Sequence, residues 1–385
     1  MLIALFTSAL LSITLFEGLI IVLLIYILYR TLKGDLKRTG ALFLPLLLHA
    51  FVVMLSTALY HPSQLGKAVE RGPFLLAYVL GGFLKVDKKS LYTFNLLLVF
   101  SGLLLMPVVF YKFYKTGQPA MFWGGWFEVG SFYTIFAVAS LSLFFYSNRF
   151  LYLISFMLFA GIVFFTLRRS TMLGLGFSLL AFALIVGKSK SRKAFFGILL
   201  TLLFGFSVST IILVDKDHRY RALYEVLAQQ RSLDEETLNT VSSYRWEIAK
   251  KGIEVVSKDI ERSNWFNMLV GHGINAGFYL EPRSPVGGIY ESILPISEFI
   301  EKGLLGFLTV IWVYILYGRF LLSFRIYSKE DYLLMSFLLA LGAHLVGAIF
   351  TFFWDAMLPL YLILFSLVER VRGERRVGGP FPQGQ

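Results

Sequence analysis

Long apolar runs recur along most of this chain, and no other feature limits its possible fold so strongly. Each run is about 20 residues long, which is the length that a helix needs to cross a bilayer. Of the 385 residues, 57% are hydrophobic and 16% are charged, and the mean hydropathy is +0.71. A soluble domain usually has roughly 25% charged residues. The sequence therefore predicts an all-α, polytopic integral membrane protein.

The apolar runs predict about 12 transmembrane helices, with one large loop before the third-last helix. Residues 2–29 fit either one long tilted helix or two short ones, and we favour two because Ser12 and Glu17 interrupt the run. The predicted spans lie near 2–14, 16–29, 41–59, 73–84, 91–110, 127–146, 150–167, 171–187, 194–214, 297–318, 331–349 and 353–369. The chain then divides into helices 1–9 within 1–214, the loop at 215–296, helices 10–12 within 297–370, and a tail at 371–385, predicted to be disordered.

Clusters of basic residues predict the orientation of these spans. Short cytoplasmic loops of membrane proteins are enriched in Lys and Arg. With about 12 spans, the basic clusters and both termini lie on one side, which we predict to be the cytoplasmic side of a bacterial inner membrane. The large loop is then periplasmic. The net charge of +12 reflects this topology and does not indicate nucleic-acid binding. The clusters are Arg30, Lys33, Lys37 and Arg38; Lys85, Lys88 and Lys89; Lys188, Lys190, Arg192 and Lys193; Arg319, Arg325 and Lys329; and Arg370, Arg372, Arg375 and Arg376.

Several classes of site are excluded or unsupported by the composition. The chain has no cysteine, which excludes disulfides, thiolate zinc sites and a cysteine nucleophile. No His–Glu–x–x–His motif, paired histidines or acidic cluster suggests a metal, so we predict neither a metal nor a cofactor. The first apolar stretch lacks a basic region and a small-residue cleavage site, so we expect it to be retained as a span.

The large loop carries its own helical pattern. Ser242 or Ser243 is a candidate cap for a helix that runs to about Arg262. Its apolar residues are spaced three and four apart, so they form a stripe that can lie on the membrane surface or on the spans. A turn-rich segment around 271–277 follows. The stripe consists of Trp246, Ala249, Ile253, Val256 and Ile260.

Three arginines on the predicted periplasmic side are candidate anion ligands. Arg168 and Arg169 are exceptions to the usual excess of Lys and Arg on the cytoplasmic side. A phosphate ligand would explain them, because a guanidinium group forms two parallel hydrogen bonds to phosphate oxygens. Pairing with lipid headgroups is the alternative. Arg245 lies at the start of the loop helix, where a plain surface charge is equally compatible with the sequence.

Other ionisable residues are candidate acids or bases. Glu291 lies at the predicted membrane boundary, where a raised pKa would let it act as a base. An acidic residue that is stabilised by the dipole at a helix N-terminus is an equal interpretation. Asp355 is either an interfacial charge or a group facing a cavity. His272, between two glycines, is a minor candidate base. His49 and His344 are more typical of hydrogen-bonded packing groups than of ligands.

Four short motifs occur in order between roughly residues 160 and 310. They are Arg169-Ser-Thr-Met-Leu-Gly174, Arg245-Trp246, Gly271-His-Gly273 and Glu301-Lys-Gly-Leu-Leu-Gly306. Together they resemble the O-antigen ligase and O-antigen polymerase superfamily of bacterial membrane glycosyltransferases. That superfamily has about a dozen spans and a large periplasmic loop late in the chain.

One position departs from the pattern of the ligases. They carry a His-Asn pair shortly before the Glu-x-Gly motif, and the histidine is implicated in catalysis. Here the stretch reads Tyr290-Glu-Ser-Ile293, which is more similar to some polymerase-type members. We expect Glu291 to take the role of the catalytic histidine.

The resemblance implies a function for the whole chain. It implies transfer of a glycan from a polyprenyl (undecaprenyl) diphosphate to a hydroxyl of a glycan or a lipid A-core, with inversion and without a metal. Arg168, Arg169 and Arg245 would bind the diphosphate, Glu291 and Arg245 would be catalytic, and His272, Asp355 and Trp246 would support them. Membrane lipids are the other expected partners. A non-catalytic transporter or lipid-binding protein is the alternative, and another type of lipid-linked glycosyltransferase is a further one.

Overall fold

The structure, a computed structural model, describes residues 1–33, 40–84, 86–189, 197, 214–215, 217–285, 287, 290 and 293–376. Throughout this part of the chain the regular elements are helices, which agrees with the predicted all-α class. They are α1 Leu2–Leu11, α2 Ile13–Leu32, α3 Phe43–Tyr60, α4 Leu65–Arg71, α5 Tyr78–Phe83, α6 Lys88–Thr116, α7 Trp126–Ser147, α8 Phe150–Phe165, α9 Arg169–Ser189, α10 His218–Leu227, α11 Glu235–Ser242, α12 Arg245–Glu261, α13 Trp265–Val270, α14 Leu294–Ser323, α15 Glu330–Ala348 and α16 Leu358–Arg376.

Seven of the described helices are long and apolar enough to cross a membrane: α2, α3, α6, α7, α9, α14 and α15. Two shorter apolar helices, α1 and α8, accompany them. The chain is thus a helical protein of the membrane class, while the count of about 12 spans stays a prediction. The predicted span at 194–214 lies outside the described residues apart from Gly197 and Val214.

Three helices form the centre of the bundle. Nearly all of α15 is buried, and α7 and the first half of α16 are buried to a similar degree. Polar side chains fasten neighbours to this centre: Asn95 of α6 donates to Leu333 O at 3.2 Å, and Ser178 of α9 donates to Leu339 O at 3.1 Å. Such bonds help to hold membrane helices together, because apolar contacts alone distinguish poorly between a helix and lipid.

The ends of several elements differ from the predicted spans. Two helices separate at Ser12, whose backbone is extended, so residues 2–29 do form two segments. The predicted span at 73–84 is a 3₁₀ turn, Pro73–Ala77, followed by the short α5. The last helix begins at Leu358, five residues after the predicted start, because a turn precedes it: Asp355 O accepts Leu358 N at 3.0 Å, and the Asp355 carboxylate accepts Met357 N at 2.7 Å. It continues to Arg376, so residues 371–376 are helical.

The helix in the large loop, α12, has three different faces. Ile248, Ala249 and Val255 are buried, and Ile248 and Val255 pack with Ile300 of α14. Its apolar stripe is mostly outside this contact, since Trp246, Ile253 and Ile260 are 42%, 56% and 49% exposed. The third face is charged. A helix with a packed, an exposed apolar and a charged face suits a position at the membrane surface.

The start of α12 also differs from the prediction. The N-cap is Tyr244 rather than Ser242 or Ser243. Ser242 nevertheless has a capping role, since its hydroxyl oxygen accepts the N–H of Trp246 at 3.0 Å. The cap moves by one residue because Ser243 and Tyr244 both have left-handed backbone conformations, with φ of 57° and 61°.

Candidate functional site

Packing contacts place several helix ends together at one end of the bundle. Leu294 N at the start of α14 donates to Ile349 O, just after the end of α15, at 3.0 Å. The indole N–H of Trp354 donates to Glu70 O in α4 at 2.9 Å. The start of α9 adjoins the end of α15 and the start of α7, because all three line one small cavity. We call this end of the bundle the loop end, since α10 to α13 cover it.

An arginine cluster lies at the loop end, where α9 begins. Arg169 donates to Val241 O and, at 2.8 Å, to the hydroxyl of Ser243. Arg219 of α10 donates to the same hydroxyl at 3.1 Å. Its guanidinium also binds Asp217, with Nε 2.9 Å from Oδ1. Burial opposes ionisation of Asp217, but the hydrogen bonds from Arg219 outweigh it and lower the pKa of the carboxyl.

The turn that Arg169 holds leads directly to Arg245. Ser243 and Tyr244 have positive φ angles, which are uncommon for residues other than glycine. Strained turns of this kind persist only when their surroundings hold them, and they occur often at functional sites. Here Arg169 binds Val241 and Ser243, and α12 starts two residues later with Arg245. The segments of the predicted diphosphate ligands Arg169 and Arg245 are therefore neighbours, and the exposed Arg168 precedes Arg169.

A break in α14 explains how the loop is attached to the bundle. Gly303 interrupts the helix with φ 63° and ψ −169°. In an unbroken helix, Ile300 O and Glu301 O would accept the N–H groups four residues later. At the break they instead accept His272 N and Gly273 N, both at 2.9 Å. The Gly271-His-Gly273 turn and the Glu301-Lys-Gly303 motif are thus a single structural unit.

Two ion pairs are buried beside this break. Lys302 Nζ lies 2.7 Å from Glu298, and both side chains are almost fully buried. Arg71 of α4 lies 3.4 Å from Glu301, and its guanidinium stacks over the ring of Trp354, 5.4 Å from the centroid. Removing one partner of such a pair is strongly destabilising, because the other charge is left buried. Together with the stacking of Arg71 on Trp354, these pairs join α4, α14 and the α15–α16 connection.

His272 is a buried structural partner in this arrangement. Its Nε2 lies 2.8 Å from Asp259 of α12, and its ring packs edge-on against Tyr60. Burial lowers the pKa of His272, and the charge of Asp259 opposes the shift. A neutral ring must donate this hydrogen bond, because an ionised carboxylate only accepts. The side chain is 4% exposed, so a substrate has little access to it.

Asp355 is a carboxyl at the loop end that is suited to exchange a proton. It is half-buried in the connection between α15 and α16, and its Oδ1 accepts Met357 N at 2.7 Å. Burial raises the pKa of Asp355 to about 7; the hydrogen bond from Met357 opposes the shift, and the charge of Glu128 adds to it. A carboxyl with this pKa can act as a base near neutral pH.

A small cavity of about 20 Å³ lies next to this region and to the start of α9. Ser131, Ser170, Thr171, His344 and Tyr361 contribute polar groups to its lining. A cavity of this size has room for about one water molecule. Arg169 directly precedes two of the lining residues, Ser170 and Thr171, and Glu128, whose charge acts on Asp355, lies three residues before the lining residue Ser131.

The remaining predicted residues are distributed as follows. Trp246 is exposed on the apolar face of α12. Glu291 lies outside the described residues. His49 is 3.0 Å from Thr309 Oγ1 and His344 is 3.2 Å from Phe353 O, which confirms that both are hydrogen-bonded. Among the described residues no group of three or more His, Cys, Asp or Glu side chains is arranged to hold a metal ion.

Two arginines were not predicted as members of the site. Arg219 follows the predicted span at 194–214, and its position beside Arg169 depends on how the chain returns to the loop end. Arg71 belongs to a seven-residue helix in a region predicted as a loop between spans. The sequence contained a clue to each arginine. Lys and Arg are enriched on the cytoplasmic side, so an arginine on the predicted periplasmic side indicates a local contact or ligand.

Comparison with known proteins identifies one long match. The chain is 40% identical over 383 residues to an uncharacterized protein of Aquifex aeolicus (strain VF5), and the match covers 97% of each chain. No family model matches the chain. No solved structure matches it.

Proposed function

The chain and the Aquifex aeolicus protein belong to one family, and we propose that its members are membrane glycosyltransferases. The reaction moves a glycan from a polyprenyl diphosphate to a hydroxyl acceptor on the periplasmic face of the bacterial inner membrane. The enzyme is then an O-antigen or surface-polysaccharide ligase or polymerase. The arginine cluster carries this proposal: Arg169 and Arg219 meet at Ser243, two residues before Arg245.

The arginine cluster suits the leaving group of this reaction. A diphosphate presents several oxygens, and guanidinium groups bind such oxygens through paired, charge-assisted hydrogen bonds. Negative charge grows on the diphosphate as the bond to the sugar breaks. Positive groups already held in place stabilise that charge most strongly where water is scarce. Arg168, Arg169 and Arg245 fill this role in the proposal, and Arg219 joins them.

A base is needed to take the proton of the acceptor hydroxyl as it attacks the anomeric carbon. Glu291 is the candidate that the family resemblance indicates. Asp355 is a second candidate, because its pKa of about 7 suits a base at neutral pH. Attack from the side opposite the diphosphate inverts the configuration of the sugar carbon. His272 has a positioning role through Asp259 and Ile300 instead of contact with substrate.

The lipid part of the donor needs an apolar surface next to the arginines. The exposed apolar face of α12 begins with Trp246, one residue after Arg245. A polyprenyl chain in the bilayer can lie along this face while its diphosphate reaches the cluster. This geometry supports a lipid-linked donor over a water-soluble nucleotide sugar.

Transfer assays in proteoliposomes test the proposal. The donor is a polyprenyl-diphosphate oligosaccharide, and the acceptors, offered separately, are a second lipid-linked glycan and a lipid A-core. Arg245→Ala and Arg169→Lys should each lower the transfer rate by on the order of 10²-fold. Lysine keeps the charge of Arg169 but not the paired donors. Arg283→Ala is the matched control, because Arg283 is a loop arginine that is paired with Glu281 and 75% exposed.

Each result has a defined meaning. Lengthening of the lipid-linked glycan identifies a polymerase, and glycan on lipid A-core identifies a ligase. Full activity of both arginine variants would exclude a diphosphate role for the cluster. Absence of transfer to either acceptor, with correctly inserted protein, would contradict the proposed enzyme.

The second candidate function is a non-catalytic transporter or lipid-binding protein. The buried charges Glu298, Lys302 and Arg71 favour it, since ionisable groups within membrane proteins often line a transport path. Against it, Glu298 pairs with Lys302 and Arg71 with Glu301, in contacts that hold the helices together. Movement of a labelled lipid-linked glycan across the bilayer, without transfer to an acceptor, would favour this alternative.

A further inference from the structure

A groove of about 600 Å³ lies between α1, α2, α5 and α6, apart from the buried ion pairs and the arginine cluster. Ligand pockets commonly have volumes of about 300–1,000 Å³. Its wall is mainly apolar and includes Leu2, Leu23, Ile27, Leu80, Phe83 and Phe94. The volume and the apolar wall suit part of a lipid molecule.

The groove exists because α2 stands at the edge of the bundle. Of its 20 residues only Phe16, Ile20 and Ile27 are buried. Ile3 and Tyr26, which also line the groove, are each 51% exposed. In a bilayer this exposed surface faces acyl chains, so a lipid can enter the groove from the side.

The polar lining of the groove is positively charged. Arg30, from the last turn of α2, and Lys89, from the first turn of α6, both line it. Tyr26, Ser90 and Thr93 add hydroxyl groups, and Arg30 Nη1 donates to Tyr26 OH at 3.2 Å. No acidic side chain is found among the described residues that line the groove.

Two of the described acidic residues near the groove are engaged elsewhere. Asp87 accepts Ser90 N at 2.8 Å and so caps α6. Glu330 pairs with Lys88 at 3.0 Å. The lining therefore complements an anion, and two cations with hydroxyl groups match a phosphate.

The charged part of the groove lies at the end of the bundle opposite the loop end. Lys88, the neighbour of Lys89, pairs with Glu330 at the start of α15, whereas the end of α15 reaches the candidate site. An occupant whose phosphate binds here thus belongs to the other leaflet from a donor bound at the arginine cluster.

We propose that the groove binds one anionic glycerophospholipid of the leaflet opposite the loop end, with its phosphate at Arg30 and Lys89 and an acyl chain along the apolar wall. The lipid packs α2 against α5 and α6 and fills space that the helices leave open. This site is independent of the proposed transfer reaction.

Native mass spectrometry of the purified full chain tests the site. Phosphatidylglycerol and phosphatidylcholine with the same acyl chains are titrated separately. The wild type should hold the first phosphatidylglycerol about tenfold more tightly than phosphatidylcholine, which corresponds to about 1.4 kcal/mol. Arg30→Gln/Lys89→Gln should bind both lipids equally. Lys112→Gln/Lys115→Gln removes two cations from the other end of the same helix α6 and should keep the wild-type preference.

Two further variants complete the test. Lys89→Gln alone changes an exposed side chain, so it reports on the site if the double variant does not fold. Leu23→Trp fills the groove and should weaken binding of both lipids. Equal binding of the two lipids by the wild type, or an unchanged preference in Lys89→Gln and in the double variant, would overturn the site. Tighter binding of a polyprenyl phosphate than of phosphatidylglycerol would overturn the choice of lipid.

Discussion

At the scale of single residues, Asp355 connects the stability of the protein to pH. Its pKa is about 7 in the folded protein, against about 3.9 for an unperturbed aspartate. The folded state therefore retains this proton where the unfolded chain loses it. The resulting stabilisation is complete below about pH 4 and is lost as the pH rises through about 7.

We therefore predict that the unfolding temperature of the wild type falls between about pH 4 and 7 and levels off above, and that Asp355→Asn removes part of this fall. Asparagine keeps an oxygen that can accept Met357 N but does not titrate. Thermal unfolding in detergent at several pH values measures the effect. Glu281→Gln, which changes an exposed loop carboxylate, is the control and should leave the pH dependence unchanged. An identical fall in Asp355→Asn would show that another group is responsible.

The candidate site was predictable only in part, for reasons that particular residues make clear. Arg168 and Arg169 stood out because arginines on the predicted periplasmic side violate the usual charge distribution, and Arg245 stood out through the family resemblance. The turn at Ser243, which binds Arg169 and leads to Arg245, depends on positive φ angles that Ser and Tyr rarely adopt. The pKa of Asp355 depends on burial and on Glu128, more than 200 residues away in the chain, so sequence spacing carries no information about it.

At the scale of elements, the break in α14 determines how the loop helices attach. Hydropathy predicts this helix well, but glycine is common in transmembrane helices and does not by itself reveal a break. The conformation of Gly303 becomes favourable only with the Gly271-His-Gly273 turn beside it, about thirty residues earlier in the chain. The position of this helix was thus predictable from local composition, and its break was not.

Gly303→Ala should destabilise the protein by about 2 kcal/mol or more, because alanine is strained at positive φ and its Cβ would meet backbone. The added carbon would lie 2.4 Å from Leu269 C and 2.5 Å from Gly271 N. Gly318→Ala is the control in the same helix, since no atom lies within 4 Å of its added carbon. It should be neutral or stabilise the helix by up to about 1 kcal/mol. Thermal unfolding compares the two, and equal unfolding temperatures would contradict the role of the break.

At the scale of the whole molecule, the two ends of the bundle should face different compartments. Ser232 lies between α10 and α11 at the loop end, and Tyr327, which is 79% exposed, lies between α14 and α15 at the other end. The natural chain has no cysteine, so single cysteines can be labelled without background. We predict that a membrane-impermeant maleimide labels Ser232→Cys in intact spheroplasts and Tyr327→Cys only after lysis. The reverse pattern would place the loop end in the cytoplasm.

The break at Gly303 also has a consequence for biogenesis. Synthesis proceeds at about 5–20 residues per second from the N-terminus, so the Gly271-His-Gly273 turn leaves the ribosome seconds before α14 is complete. The carbonyl groups that receive this turn, at Ile300 and Glu301, become available only when α14 has been made. Until Ile300 and Glu301 have been synthesised, the loop of the nascent chain cannot dock on the bundle. Closure of the loop over the bundle is therefore a late step of assembly, and a chain truncated before α14 should remain open to proteases at the turn.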